Sequence, residues 1–198
     1  MNIFRTLNGL GMKNEIVSAV AVFMARELIF VMAGIAVVIG LAALFGGSDA
    51  RRAHGSARNL ILLVRSAIAS SCAILDGLLI SLFLFRERPF AALDDVNLLI
   101  ASPFMTKSFP SDHATIAFAI AVSVLFVNRR WGLVLLVCAA AVAVGRVMVG
   151  VHYPSDVLFG ALLGSAWAVA VAVLGRSLGD ERWMGRQLDH KEKRRAES

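Results

Sequence analysis

Gly145-Arg146-Val147-Met148-Val149-Gly150-Val151-His152-Tyr153-Pro154-Ser155-Asp156 is a polar stretch set between two apolar runs, Trp131 to Val144 and Val157 to Leu174. It delivers an arginine, a histidine and an aspartate to the end of a membrane span. Ionisable groups are costly at membrane depth and normally face a cavity or one another, so the cluster is by default a functional site. The surrounding composition fits that setting. Of 198 residues, 58% are hydrophobic and only 17% charged, outside the range of an ordinary soluble domain. Leu28 to Phe45 and Val157 to Gly175 carry no charge, and each approaches the ~20 residues needed to cross a ~30 Å hydrocarbon core.

These runs predict an all-α, polytopic transmembrane helical bundle of five or six membrane helices, folded as a single membrane-embedded domain over residues 1–198. Within it, residues 1–26 form an N-terminal interfacial or tilted helix, and residues 176–198 a basic cytoplasmic tail. Ile3 to Leu10 reads as a short surface helix or an irregular lead-in. Ile16 to Phe45 is longer than one span requires and is interrupted by Arg26 and Glu27, so the crossing is expected after Glu27. Gly46 to Asp49 ends that helix with residues that favour turns. A second span is expected from Asn59 to Phe85, then the short runs Ala114 to Val127 and Trp131 to Gly145, and last Val157 to Gly175. At 1.5 Å per residue the two short runs fall below the hydrocarbon thickness, which sinks the polar motifs at their ends below the surface.

The net charge of +6 is distributed by topology. Arg51, Arg52 and Arg58 are expected in one loop, Arg129 and Arg130 in another, and Arg176 with Arg182, Arg186, Lys191, Lys193, Arg194 and Arg195 in the tail; these segments are cytoplasmic by the positive-inside rule. No basic stripe suited to nucleic acid emerges. Arg86, Arg88, Lys107 and Arg146 fall on the opposite side, around the polar motifs. Cys72 and Cys138 lie in apolar runs far from any histidine and indicate neither a disulfide nor a metal site. Asp76 faces the bundle interior, either paired with a neighbouring helix or serving catalysis. The loop Arg86 to Pro110 carries Phe90, Leu93, Val96, Leu98, Leu99, Ile100, Phe104 and Met105, an apolar set suited to the lipid interface. A loop of this size is more often functional than idle.

Ser111 follows Pro110 at the start of a helical run, where an N-cap is expected, so the first N–H groups of that helix are available to an anion. His113 places a titratable imidazole at the same point, suited to protonating a leaving group. His152 and Asp156 stand four residues apart across Pro154; a carboxylate there accepts the ring N–H and leaves the other nitrogen as a nucleophile. Arg88 and Arg146 supply planar forks that match phosphoryl oxygens. Together these residues are the parts for phosphoryl transfer without a metal or cofactor.

Arg88-Pro89, then Pro110-Ser111-Asp112-His113, then Arg146-x5-His152-x3-Asp156 resembles the three-part signature of the type 2 phosphatidic acid phosphatase (PAP2) superfamily, which shares its helical core with vanadium haloperoxidases. The resemblance covers Asn59 to Gly175. It implies His152 as the nucleophile, Asp156 as its orienting partner and His113 as the acid for the lipid leaving group, with Arg88, Arg146 and Ser111 holding the phosphate. Three positions depart from the pattern: Ser81 where the family has lysine, Asp112 where it has glycine, and Gly145 where it has serine. Arg86 or Lys107 is expected to replace the missing charge. Ser108-Phe109-Pro110-Ser111-Asp112-His113, with Arg86-x-Arg88-Pro89-Phe90 before it, is similar to the small bacterial undecaprenyl pyrophosphate phosphatases of the bacitracin-resistance type. That likeness implies an isoprenyl pyrophosphate lipid as substrate, hydrolysed to undecaprenyl phosphate through a phosphohistidine. It also implies a multi-pass protein of the bacterial inner membrane with its site on the periplasmic or extracellular face. The alternatives are a phosphatase for phosphatidylglycerol phosphate, phosphatidic acid or a lipid A phosphate and, from another class, a non-catalytic protein that binds anionic lipid.

Overall fold

Helix α6 (Asp112–Leu125) is the axis on which the other helices are arranged. It is short and apolar, and Ala114, Ala117, Ala119, Ile120, Ala121 and Val124 are all buried. A helix that is apolar around most of its circumference belongs inside a bundle, so α6 needs no length to meet lipid. The computed structural model describes residues 2–41, 50–101 and 107–177, and for residues 50–60, 62 and 177 the backbone course only. Its helices are α1 (Asn2–Gly11), α2 (Glu15–Val22), a π-helical turn (Phe23–Glu27) leading into α3 (Leu28–Leu41), α4 (Ala50–Phe83), the short α5 (Pro89–Ala92), α6, α7 (Arg129–Met148) and α8 (Pro154–Ser177). No strand occurs among the described residues.

Among the described residues, four helical stretches are long and apolar enough to cross a membrane: Glu15–Leu41, Leu63–Phe83, Arg129–Met148 and Pro154–Arg176. With the embedded α6 they form a polytopic all-α bundle, and the chain is a multi-pass membrane protein. Large apolar side chains such as Phe30, Val38, Leu79, Leu82, Val137, Leu162 and Val173 point outward, as lipid-facing residues should. Between helices the hydrophobic effect offers little in lipid, so close packing of small residues takes its place. Gly160 and Gly164 of α8 lie directly against the backbone of Ser111 and Thr115; a Cβ at Gly160 would stand 2.7 Å from the Ser111 carbonyl. This brings the start of α8, with Asp156, against the start of α6.

Two expectations are corrected. Helix α4 begins at Ala50 and not at Asn59, so Arg51, Arg52 and Arg58 lie on its first turns and not in a loop. Alanine and arginine are good helix formers, and only Gly55 opposes them there. Helix α7 runs through Arg146 to Met148, 20 residues in all, and therefore has full spanning length; of the two runs expected to be short, α6 is and α7 is not. A buried arginine does not end a helix when its guanidinium finds acceptors, as it does here. Gly46 to Asp49, Phe104, Met105 and the tail from residue 178 lie outside the described residues.

The first helical stretch continues through Arg26 and Glu27, whose side chains point outward and pair at 3.4 Å; the irregularity is the π turn itself. Asp76 accepts a hydrogen bond from Trp167 Nε1 at 2.8 Å, joining α4 to α8. Cys72 and Cys138 are free. Helix α1 lies across the end of the bundle where α7 finishes and α6 and α8 begin. Asn8, 2% exposed, fixes it there: its amide donates to the carbonyls of Asn97 at 2.8 Å and Met148 at 2.9 Å, and accepts from the Asn97 N–H at 2.9 Å. Arg129, Arg130 and Arg176 occupy the other end.

Candidate active site

Three helix ends converge to make the site. The last turn of α7 contributes Arg146, the turn Val149–Tyr153 carries His152, the first turn of α8 carries Asp156, and the first turn of α6 carries His113 after Ser111. Gly150 makes the tight exit from α7 with a φ of +83°, a conformation that side chains with a Cβ rarely adopt. Pro154 opens α8, where a missing N–H costs no hydrogen bond. A backbone bond from the Ser111 N–H to the Asp156 carbonyl at 3.2 Å links the two helix starts.

His152 is 2% exposed. Its Nδ1 lies 2.7 Å from the carbonyl of Ser108. A carbonyl only accepts, so Nδ1 carries the proton and Nε2 carries the lone pair. Burial lowers the His152 pKa well below 6.5; Arg146, Arg88 and His113 add to that effect, and the Ser108 hydrogen bond opposes it. The imidazole is therefore neutral at pH 7, with Nε2 directed toward Nη2 of Arg146 at 3.4 Å.

Asp156 is fully buried, but it does not receive the imidazole N–H expected from the four-residue spacing. Its Oδ2 is 4.0 Å from Nδ1. The carboxylate accepts instead from Ser108 Oγ at 2.6 Å, from the Tyr153 N–H at 2.9 Å and from Arg86 Nη1 at 2.8 Å. It thus holds the Ser108 segment whose carbonyl holds His152. Arg86, expected at the phosphate, is engaged by Asp156, by Ser155 Oγ at 2.8 Å and by the ring of Tyr153, whose centroid is 3.7 Å from its Cζ. A cavity of about 540 Å³ opens beside it, bounded by Phe4 of α1 and by Arg86, Tyr153 and Ser155.

Arg88, Arg146 and Ser111 present a different picture. Arg88 Nε and Nη1, Arg146 Nε and Ser111 Oγ are buried and have no protein hydrogen-bond partner among the described residues. Ser111 occupies the N-cap position of α6 but makes no capping bond with its side chain, so the first N–H groups of α6 are left uncapped. Burial pulls the Arg88 pKa down, while Asp112 and Asp156 pull it up. Orphaned buried donors call for an explanation, and these four have the chemistry to bind a tetrahedral anion. His113 lies within electrostatic reach of Arg88, Arg146 and Asp112. Lys107 Nζ binds Asp112 at 2.8 Å and approaches the Gly77 carbonyl of α4 at 3.5 Å, one turn from Ser81, whose hydroxyl donates to the Leu78 carbonyl.

Two participants escape a reading of the sequence. Ser108 acts through its carbonyl and its hydroxyl, and Ala25 through a carbonyl that accepts from Arg146 Nη1 at 3.2 Å. Ser108 stands inside a recognisable motif, whereas nothing in the residue type of Ala25 signals its contact.

Comparison with known proteins shows the family and the fold. The family model described as PAP2 superfamily matches residues 59–178. Undecaprenyl-diphosphatase BcrC of Bacillus subtilis is 34% identical over 156 residues, covering 79% of this chain and 74% of its own. The bacitracin transport permease protein BcrC of Bacillus licheniformis is 32% identical over 171 residues, covering 86% and 78%. In fold, the chain is similar to the crystal structure of Aquifex aeolicus LpxE, with a TM-score of 0.64 at 23% identity over 86% of this chain and 93% of that one. With the motif residues gathered at one end of such a bundle, the chain belongs to the PAP2 superfamily.

Proposed function

We propose that this protein is a membrane phosphatase that hydrolyses undecaprenyl pyrophosphate to undecaprenyl phosphate and inorganic phosphate. The observation that carries the proposal is the set of buried, unpartnered donors of Arg88, Arg146 and Ser111 beside the neutral, hydrogen-bonded His152. The similarity to proteins named undecaprenyl-diphosphatase points to the same lipid. In the first step His152 Nε2 attacks the terminal phosphorus, and the bridging P–O bond breaks. Undecaprenyl phosphate departs with a proton from His113. In the second step a water, losing its proton to His113, attacks the phosphohistidine; the N–P bond breaks and phosphate leaves. Arg88, Arg146, Ser111 and the N–H groups of α6 stabilise charge on the transferred oxygens through both steps.

Lys107, beside the Gly77 carbonyl one turn from Ser81, brings a cation to the region where the family's lysine would stand. Ser81 and Asp112 each make the site one unit more negative than the family pattern, and Lys107, paired with Asp112, offsets one of those units. The site lies at the end opposite Arg129, Arg130 and Arg176, which by the positive-inside rule is the external face of the membrane. The exposed apolar residues Leu82 to Phe85, directly before Arg86, offer the isoprenyl chain a lipid-facing approach.

Phosphate release from undecaprenyl pyrophosphate, phosphatidylglycerol phosphate, phosphatidic acid and a lipid A phosphate, compared in one detergent, tests the substrate. The highest kcat/KM is expected for the isoprenyl pyrophosphate. A clear preference for a glycerolipid or for lipid A would overturn the assignment.

A further inference from the structure

Arg146 is held by a part of the chain that lies outside residues 59–178. Its Nη1 donates to the carbonyl of Ala25 at 3.2 Å in a fully buried contact. Ala25 is the central residue of the π turn Phe23–Glu27. In a π turn the hydrogen bonds reach one residue further than in an α-helix, as the Leu28 N–H does to the Phe23 carbonyl. A widened turn of this kind disturbs the helical pairing and releases a carbonyl to other donors, and such turns recur at functional sites. The Ala25 carbonyl, in the middle of that turn, accepts from Arg146.

The contact depends on a close approach. Gly145 packs so tightly on the π turn that a Cβ there would stand 2.8 Å from the Ala25 nitrogen and 2.8 Å from Met24 Cβ. This accounts for glycine where the family pattern has serine: a hydroxymethyl group would push the two helices apart. Asn8 draws the N-terminal segment onto the same end of α7 by donating to the Met148 carbonyl. With Nη1 held by Ala25, the side-on fork of Nε–H and Nη2–H remains. Nη2 lies 3.4 Å from His152 Nε2, and Nε has no protein partner.

We propose that the π turn at Phe23–Glu27 is a positioning element for the phosphate site: the Ala25 carbonyl fixes the plane of the Arg146 guanidinium so that its side-on fork faces the transferred phosphoryl group. The inference rests on the reading of Arg146 as a phosphate ligand. It makes the first membrane helix part of the catalytic apparatus and predicts that the PAP2 core alone has a misaligned arginine.

The test is a double-mutant cycle on turnover of a short-chain isoprenyl pyrophosphate in detergent. Deletion of Met24 returns the turn to α-helical pitch, and Gly145→Ala wedges α7 away without changing the helix. Each is combined with Arg146→Ala. Each change alone is expected to lower kcat by about ten- to a hundredfold, the cost of a misplaced contact, with little further loss once Arg146 is absent. Exogenous guanidinium should partly restore kcat in Arg146→Ala and fail to do so in the variant that also lacks Met24. If the Met24 deletion does not fold, Gly145→Ala carries both readouts. An equal proportional loss with and without Arg146, or full activity of Gly145→Ala, would overturn the inference. Full activity of Arg146→Ala alone would overturn the reading beneath it.

Discussion

His152 donates its Nδ1 proton to the carbonyl of Ser108 at 2.7 Å, while the carboxylate of Asp156 stands 4.0 Å away. The carboxylate therefore acts on the imidazole through an intermediary: Asp156 fixes Ser108, and Ser108 fixes the tautomer. The arrangement resembles an orienting dyad with a peptide carbonyl inserted between its members. Ser108→Ala removes the hydroxyl contact to Asp156 but keeps the carbonyl; Asp156→Asn disturbs Ser108, the Tyr153 N–H and Arg86 together. By the magnitude common for outer partners of a working histidine, kcat is expected to fall about tenfold in the first and about a hundredfold in the second, with KM little changed. Steady-state kinetics check this. An unaltered kcat in Ser108→Ala would contradict the role given to its hydroxyl.

The unpartnered nitrogens of Arg88 and Arg146 include the Nε of each, so each can offer a fork as well as a charge. Lysine keeps the charge but lacks the fork. Arg88→Lys and Arg146→Lys are each expected to lower kcat/KM by about 10²–10³-fold, the usual loss on removing one donor from a site of developing charge. Inhibition by inorganic vanadate should weaken in parallel. Arginine-to-lysine variants with wild-type kcat/KM would show that these residues serve only as point charges.

His113 should matter in proportion to the basicity of the leaving group. Undecaprenyl phosphate leaves as a phosphate monoester, whose second pKa is about 6, whereas a lipid monophosphate leaves as a far more basic alkoxide that needs a proton. His113→Asn is accordingly expected to reduce turnover of a lipid monophosphate more than that of an isoprenyl pyrophosphate. Assaying both substrates with wild type and variant gives the ratio directly. Equal losses on the two would remove His113 from the acid role.

Burial holds the His152 pKa well below 6.5, reinforced by Arg146, Arg88 and His113. The sign follows from the charged form being the one disfavoured in the fold. The nucleophile stays neutral as pH falls through 6.5, and the folded state begins to lose stability below that pH, where the unfolded chain binds the proton and the native site does not. Nitrogen-15 chemical shifts of histidine-labelled protein should place His152 in the Nδ1–H tautomer and show no titration midpoint at or above 6.5. A midpoint there, or the opposite tautomer, would contradict the account.

The sequence discloses the parts of this site that depend on residue type and spacing. Arg146, His152 and Asp156 are legible because an apolar run on each side dictates two helices, and Pro154 marks where the second begins. Ser111 and His113 are legible because proline and serine announce a helix start. What escapes is carried by backbone atoms. Any residue offers a carbonyl, so neither Ser108 as the acceptor from His152 nor Ala25 as the acceptor from Arg146 is visible in advance. The start of α4 at Ala50 is hidden because arginines mark a cytoplasmic segment equally well in a loop and on a helix. The reach of α7 to Met148 was hidden because Arg146 read as a boundary, whereas an acceptor from a distant helix lets it remain helical.

Attack of His152 on phosphorus is open to one decisive measurement, the turnover of undecaprenyl pyrophosphate by His152→Asn. The expected result is a fall in kcat of about 10⁴-fold or more, about 5.5 kcal/mol of transition-state stabilisation, with binding of the lipid largely kept because Arg88, Arg146 and Ser111 remain. Turnover within a few fold of wild type would contradict it.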